Sequence, residues 1–500
     1  MIANAIGWYF KQRHQELWDM SAQAIKHQKQ LLDYFIQKLS LTEYGRVHGA
    51  QPRWTYDEFA NALPLAGYEE LKPYIIRTME GQQGLIWPSD ITWFAKSSGT
   101  TSNEAKFIPI TFECLENTHF KGSKEPVTQY YHFNPTAKVF DGKALLIGGS
   151  NKITSDYPNC FVGDLSAILM THMPSWANWK SAPDLSILVM NDWEEKVERM
   201  AQTTMHENIS SIHGVPTWTM VVIQRVLELS GKSHIHEVWP NLELFVHGGM
   251  NFEPYREIYK KLAPDPKMNY VETYNASEGF FGVQAYKDRT DLLLTTHHGV
   301  FYEFYDTTKG PESIVPLWEV QTGVNYAVVV TNNSGLWRYA VGDTICFTET
   351  PMEGNKFFLF KFSGRTKLFI NAFGEEIIME NAETAITKTC QKLNLELIDY
   401  TGAPRFESGS EGHEWIFEFK TNPASLDEFI DIFDQELINV NSDYEGKRKG
   451  NLVMKRPTVH LATPQTFMRW LQSKGKLGGQ NKVPRLANHR NLLEEILPFL

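Results

Sequence analysis

The chain has 500 residues, 42% of them hydrophobic and 21% charged, a balance that excludes extensive disorder and collagen-like order. Its length calls for at least two domains. A formal net charge of -11 disfavours a general binder of nucleic acid or anionic membrane, since those partners attract basic surfaces.

Cys114, Cys160, Cys346 and Cys390 lie far apart with no CxxC pair, against a zinc knuckle or a disulfide framework. The opening MIANAIGWYFKQRHQ lacks the pattern of a signal peptide and no run reaches membrane-spanning length. The expectation is a cytoplasmic protein with reduced thiols, with a monomer favoured.

In chain order, QELWDMSAQAIKHQKQLLDYFIQKL repeats apolar residues at three-and-four spacing and predicts one long helix. A capped helix follows near Thr55, with Glu58 three residues on. From Val139, the β-rich runs ALLIGG, LSILVM and LELFVHGG alternate with the helical runs DWEEKVERMAQTTM and TWTMVVIQRVLELSG. That rhythm predicts a largely parallel sheet, whose ligands gather at strand ends. After Asn325 the pattern turns to YAVVVTNNSGLWRYAVGDTICFTET and KFFLFKFSGR, antiparallel strands with Asn/Gly turns. Beyond Arg365 come a helix at MENAETAITKTCQKL, two strands flanking ESGSEGHE, a helix at SLDEFIDIFDQELINV and a strand near PTVHLA. The expected fold class is α/β, with a large domain over 1–364 and a small, mobile α+β domain over 365–500.

Four segments carry chemistry. KSSGTTSNEAKFIPIT sets Ser97, Ser98, Thr100, Thr101 and Ser102 around Gly99, and Lys106 adds a compact positive charge. Hydroxyls and backbone NH groups in a turning segment suit an anion, although the Walker spacing is absent and a polar surface turn explains the stretch equally well. In FVHGGMNFEPYREIY, Gly248 and Gly249 let the backbone approach a flat ligand. ETYNASEGFFG gathers Tyr274, Ser277 and Glu278, the last a carboxylate able to coordinate magnesium. GLWRYAVGDTICF supplies Asp343, which can accept two hydrogen bonds from ribose hydroxyls. Each segment alone is also common turn chemistry.

Taken in order, these segments resemble the acyl-adenylate-forming superfamily. Within it they resemble the acyl acid amido synthetases of auxin and jasmonate conjugation in plants. SSGTTSNEAKFIP is similar to that family's first motif, YNASEG to its second and GLWRYAVGD to its third. NVNSDYEGKRK through GGQNKVPR resembles its C-terminal ending, so the likeness spans nearly the whole chain. The resemblance implies that Ser97, Ser98, Thr100 and Thr101, with Gly99, hold phosphate. It also implies that Glu278 holds magnesium and Asp343 the ribose, with Arg365 in the nucleotide site. Lys482 resembles the mobile catalytic lysine, and Lys367, after the GR hinge, is a second candidate beside Lys106. The implied activity is ATP-dependent adenylation of a small carboxylic acid, followed by transfer of the acyl group to an amino acid. Asn103 stands where glycine is often found, and Ala340 where arginine is.

Two alternatives stay open: an acyl-CoA ligase, and a nucleotide-binding protein that has lost turnover. The pair His297 and His298 is read as structural and assigned no metal. Trp176 and Trp179 suit an acyl pocket or helix packing equally well, so the acyl pocket stays unassigned.

Overall fold

The computed structural model describes residues 2–97, 106–149, 157, 159–249, 252, 255–366, 369–370, 375, 377–405, 412–441, 444–445, 448, 454–475, 482–487 and 489–500. The chain forms two compact units. The first comprises Met1–Met250, Leu262–Val341 and Ile345–Lys361, and the second comprises Asn251–Lys261, Gly342–Thr344 and Phe362–Leu500.

The first unit opens with helices. The predicted long helix is two, Ile2–Ala22 and Ala24–Leu39, separated at Gln23, whose backbone leaves the helical region (φ -104°, ψ 21°). The break lets each half face a different partner. Phe10 stacks on Tyr131 and Phe140, while the Gln28 amide donates to the Thr296 and Val300 carbonyls at 2.9 and 2.7 Å and accepts from Tyr302 N. The predicted cap at Thr55 is present: the Thr55 hydroxyl accepts from Glu58 N and the Glu58 carboxylate from Thr55 N, opening Tyr56–Ala62.

The strands are β1 (Trp93–Ser97), β2 (Lys106–Ile110), β3 (Lys143–Leu146), β4 (Phe161–Gly163) and β5 (Ser181–Ala182). Next come β6 (Ile209–Gly214), β7 (Leu244–Gly248), β8 (Asn269–Ala276), β9 (Gly279–Gln284) and β10 (Leu292–Leu294). The last are β11 (Val300–Asp306), β12 (Val315–Pro316), β13 (Asn325–Asn332), β14 (Tyr339–Glu349) and β15 (Leu359–Arg365). A small sheet has the order β2-β1-β4, and the large one runs β12-β11-β13-β14-β15-β10-β9-β8-β7-β6-β3-β5.

Pairing is parallel from β5 through β3, β6 and β7 to β8, where strands alternate with helices in sequence. It is antiparallel at β8–β9, β9–β10, β10–β15, β11–β12 and β11–β13. Two crossover helices carry clear end signals. Trp193–Thr204 is capped by Asp192, whose carboxylate accepts from Glu195 N, and Pro216–Ser230 has proline in its first turn and Gly231 at its end.

LSILVM is not a strand. Leu185–Leu188 is one helical turn closed on the Asp184 carbonyl, and only Leu188 in it is buried. A short apolar run does not distinguish strand from helix by periodicity. The next strand after it is β6, from the unpredicted run ISSIHG.

The second unit holds β16 (Phe369–Ile370), β17 (Ile377–Ile378), β18 (Leu397–Arg405), β19 (Gly412–Phe419) and β20 (Thr458–Leu461). β18 and β19 pair antiparallel, and β19 and β20 parallel. Alternation along β19 divides its side chains between two cores. Trp415, Phe417 and Phe419 pack with Phe429 and Phe433 of the helix Leu426–Val440, while Ile416 packs with Trp470 and Leu493. Each phenylalanine so buried contributes about 1.5–3 kcal/mol. The helices Met379–Leu393 and Leu426–Val440 coincide with the predicted runs; Thr466–Ser473 and Asn491–Ile496 were not predicted.

Candidate functional site

The parallel strands of the first unit end in small residues along one edge. Gly148 and Gly149 follow β3, Gly214 closes β6, Gly248 closes β7, and Ser277 follows β8. The carboxyl edge of such a sheet is where its ligands sit. Glycine at 248 has a local cause as well: a Cβ there would lie 2.4 Å from the Thr273 carbonyl on β8. Gly249 has φ +78°, the left-handed backbone that glycine adopts without steric cost.

The β8–β9 turn carries the expected carboxylate. Ala276 pairs with Gly279, so Ser277 and Glu278 form a two-residue hairpin tip. A hairpin tip is ordinarily wet, yet both residues are buried, at 4% and 7% exposure. The buried Asn332 amide donates to the Glu278 carbonyl at 2.7 Å, while its oxygen accepts from Ser334 N and Leu336 N. The tip is thus pinned to β13. Tyr274 packs edge-on against Phe281, ring centres 4.9 Å apart. As a buried oxygen donor, the Glu278 side chain is of the chemical kind that a hard divalent cation takes.

At the small sheet, Ser97 pairs with Lys106 as the last rung of the β1–β2 ladder. The Lys106 ammonium lies 6.0 Å from the centre of the Tyr68 ring, and the Tyr68 hydroxyl accepts from Phe107 N. Ser98, Gly99, Thr100, Thr101 and Lys367 lie outside the described residues. Arg365 closes β15.

In the second unit, Asp343 is buried at 5% exposure and follows Gly342, which has φ +91°. The Gly342 carbonyl accepts from Thr366 N at 2.9 Å, and the Ser363 hydroxyl donates to that of Thr344. Lys482 is half-buried and leads into an anchored stretch. The Thr401 hydroxyl donates to the Pro484 carbonyl, Gly402 N to the Arg485 carbonyl and Ala487 N to the Gly402 carbonyl. The Arg485 guanidinium pairs with Asp399 and lies 4.7 Å from the centre of the Tyr400 ring.

Sequence models of the GH3 family match this chain in three parts. The N-terminal domain matches residues 13–157 and 136–268, the central domain 293–365 and the C-terminal domain 380–491. The chain belongs to the GH3 family. A jasmonoyl–L-amino acid synthetase of Nicotiana attenuata, JAR4, is 24% identical over 95% of this chain and 93% of its own length. The solved GH3.15 acyl acid amido synthetase superposes with TM-score 0.80 at 18% identity, covering 98% of this chain and 96% of its own. A 2-hydroxyisobutyryl-CoA ligase in its postadenylation state gives TM-score 0.57 at 13% identity, over 99% of this chain and 91% of its own. The fold is that of the adenylate-forming enzymes, as the ordered motifs implied.

Two residues of this GH3 chain escaped the sequence reading. Lys196 is buried at 1% exposure and donates to the Gly148 and Gly149 carbonyls at 2.7 and 2.9 Å. Burial pushes its amine down to about 8, against the pull of Asp164. It fastens the glycine corner after β3. Its helix, Trp193–Thr204, was predicted, but nothing in DWEEKVERM marks this lysine as inward-facing.

Arg338, inside the third motif, has φ +43° and forks onto Glu303 with two hydrogen bonds of 2.9 Å. It also donates to the Ala60 and Leu63 carbonyls. A left-handed arginine is strained backbone, held here by its own guanidinium. The motif pointed to this stretch, whereas the partner lies 35 positions away.

Proposed function

We propose that this chain is an ATP-dependent acyl acid amido synthetase. It joins a small carboxylic acid to the amine of an amino acid and releases AMP and pyrophosphate. The observation that carries the reading is the carboxyl edge of β3, β6, β7 and β8 in a GH3 chain, with a buried carboxylate at the tip that extends β8.

A carboxylate is a poor acyl donor until its oxygen becomes a leaving group. Attack of the acid oxygen on the α-phosphorus of ATP forms the acyl-adenylate and expels pyrophosphate. The amine then attacks the acyl carbon, expels AMP and loses a proton to solvent. Catalysis here consists of positioning and of stabilising spreading negative charge.

Ser97, Ser98, Gly99, Thr100 and Thr101 cradle the phosphates. Gly248, Gly249, Tyr274, Ser277 and Arg365 shape the nucleotide site, and Asp343 accepts from the ribose hydroxyls. Glu278 holds magnesium, which supplies charge neutralisation at the phosphates when bound. Lys482, with Lys106 and Lys367, supplies the positive charge for adenylation, and the functional boundary falls near Arg365. Cytoplasmic location accords with four free cysteines. Among the described residues, no helix is long and apolar enough to cross a membrane.

The test measures acid-dependent pyrophosphate release across a carboxylic acid library, then identifies products by mass with amino acids, CoA, or both. An amide formed with an amino acid alone is expected, and its rate should rise with pH as more amine is deprotonated. Thioester with CoA and no amide from any amino acid would transfer the chain to the CoA ligases. Absence of acid-dependent pyrophosphate release across the library would leave a binding protein.

A further inference from the structure

On the first unit, the fold brings a carboxylate from one helix to a pair of adjacent histidines far from it in sequence. Glu125 opens the helix Glu125–Phe133, and His297 and His298 lie between β10 and β11. One ligand atom from each lies within 4.8 Å of the other two. Glu125 and His298 are both fully buried, while His297 is half-buried.

Their polar atoms are poorly satisfied. Glu125 Oε2, His297 Nδ1 and both ring nitrogens of His298 make no hydrogen bond, although His298 Nε2 lies 3.1 Å from Glu125 Oε1. Buried polar atoms in folded proteins are nearly always paired, and a cluster of orphans marks the place of an ion or water. Arg13 and Lys121 act on His297 and oppose positive charge there, so Glu125, the one carboxylate of the cluster, must supply the offsetting charge. Arg13 engages only Oε1 of Glu125, at 2.5 Å. That contact orients the carboxylate and leaves Oε2 available, the relation that outer partners have to a ligating carboxylate.

We propose that Glu125, His297 and His298 form a binding site for a borderline transition-metal ion, zinc by preference, distinct from the magnesium position at Glu278. Two imidazoles and one carboxylate suit zinc, whereas magnesium favours an all-oxygen shell. Zinc–nitrogen bonds of about 2.0 Å in a tetrahedron place donors about 3.3 Å apart. Since the donors all lie within 4.8 Å of one another, closure needs side-chain adjustments of at most about 1.5 Å. His27, half-exposed on Ala24–Leu39, has its ring 6.2 Å from that of His297 and an unbonded Nε2. It is the candidate fourth ligand and marks the entry side. Such a site would tie the second N-terminal helix, the helix Glu125–Phe133 and the β10–β11 connection together.

The experiment strips the full-length protein with chelator and titrates it with cobalt(II), reading the visible absorption of a four-coordinate nitrogen and oxygen site. Zinc content after purification and the thermal midpoint with added zinc are measured in parallel. Stoichiometric cobalt uptake is expected, displaced by zinc and accompanied by a rise in the midpoint. His297→Ala, whose side chain is only half-buried, should weaken cobalt binding at least tenfold, as should Glu125→Gln, while Glu278→Gln should leave it unchanged. If native protein gives no cobalt spectrum and retains no zinc, or if His297→Ala and Glu125→Gln bind as tightly as native protein, the site holds water and the proposal falls. Neither result bears on acid-dependent pyrophosphate release, which tests the synthetase reading separately.

Discussion

Two carboxylates and one arginine separate what the residues reveal alone from what the fold adds. Glu278 and Asp343 stand in motifs, and their chemistry could be named from sequence. Their burial could not, because it depends on Asn332 pinning the hairpin tip and on Gly342 turning the backbone. Glu278→Gln should slow adenylation and Asp343→Ala should raise the ATP concentration required, each by roughly ten- to a hundredfold, for a lost charge-assisted contact of about 1.5–3 kcal/mol. Pyrophosphate exchange at varied ATP checks this, and native rates in both variants would remove the two residues from the site. Arg338 gives a stability prediction. Arg338→Met leaves Glu303 buried without its cationic partner, although still accepting from the Tyr56 hydroxyl, which should cost about 3–5 kcal/mol in urea unfolding. Adding Glu303→Gln should recover part of that loss, whereas a structural cost from the strained backbone alone would not be relieved.

Elements were legible where the sequence carried a local signal. The capping box at Thr55 and the helical runs DWEEKVERMAQTTM and TWTMVVIQRVLELSG are short-range patterns that neighbours do not override. The break at Gln23 and the helical turn at LSILVM were not legible, because both follow from which surfaces the flanking residues meet. The glycine pair after β7 allows a test at this scale. Gly248→Ala forces a Cβ to 2.4 Å from the Thr273 carbonyl, so it should separate β7 from β8 and lower the unfolding midpoint. Gly249→Ala should cost about 1–2 kcal/mol for its left-handed backbone. If Gly248→Ala kept native stability but lost ATP binding, its glycine would serve ligand approach alone, and the strand-packing account would be wrong.

At the scale of the molecule, the order of sheet-forming and small-domain segments was readable, but the neighbours in the large sheet were not. β10 sits between β9 and β15 although β11 to β14 intervene in sequence, a long-range pairing with no local marker. The first unit also collects histidines that burial keeps neutral. His14, His119 and His213 are each pushed down to about 4, by desolvation in every case and, for His14, also by the stacked His132. An unfolded histidine takes up its proton near 6.5, so between pH 6.5 and 4 the unfolded chain binds more protons than the folded one. Stability must then rise with pH across that window and be lost as the solution is acidified through it. A fully buried ring contributes up to about 1.4 kcal/mol per pH unit there, and His14, half-exposed, contributes less. The second unit has a different window. Burial raises the Glu414 carboxyl, but hydrogen bonds from His460 and Arg490 outweigh it and hold the group down to about 2. Its stabilisation is present above the ordinary glutamate pKa and fades only as pH falls from there towards 2. Calorimetric unfolding from pH 7 to 4.5 should therefore show the first unit weakening while the second is nearly unchanged. His213→Gln should flatten the pH slope of the first transition. A first-unit midpoint that stays level between pH 6.5 and 5 would mean that these rings are already protonated in the folded protein, with acidic partners or water satisfying their charge.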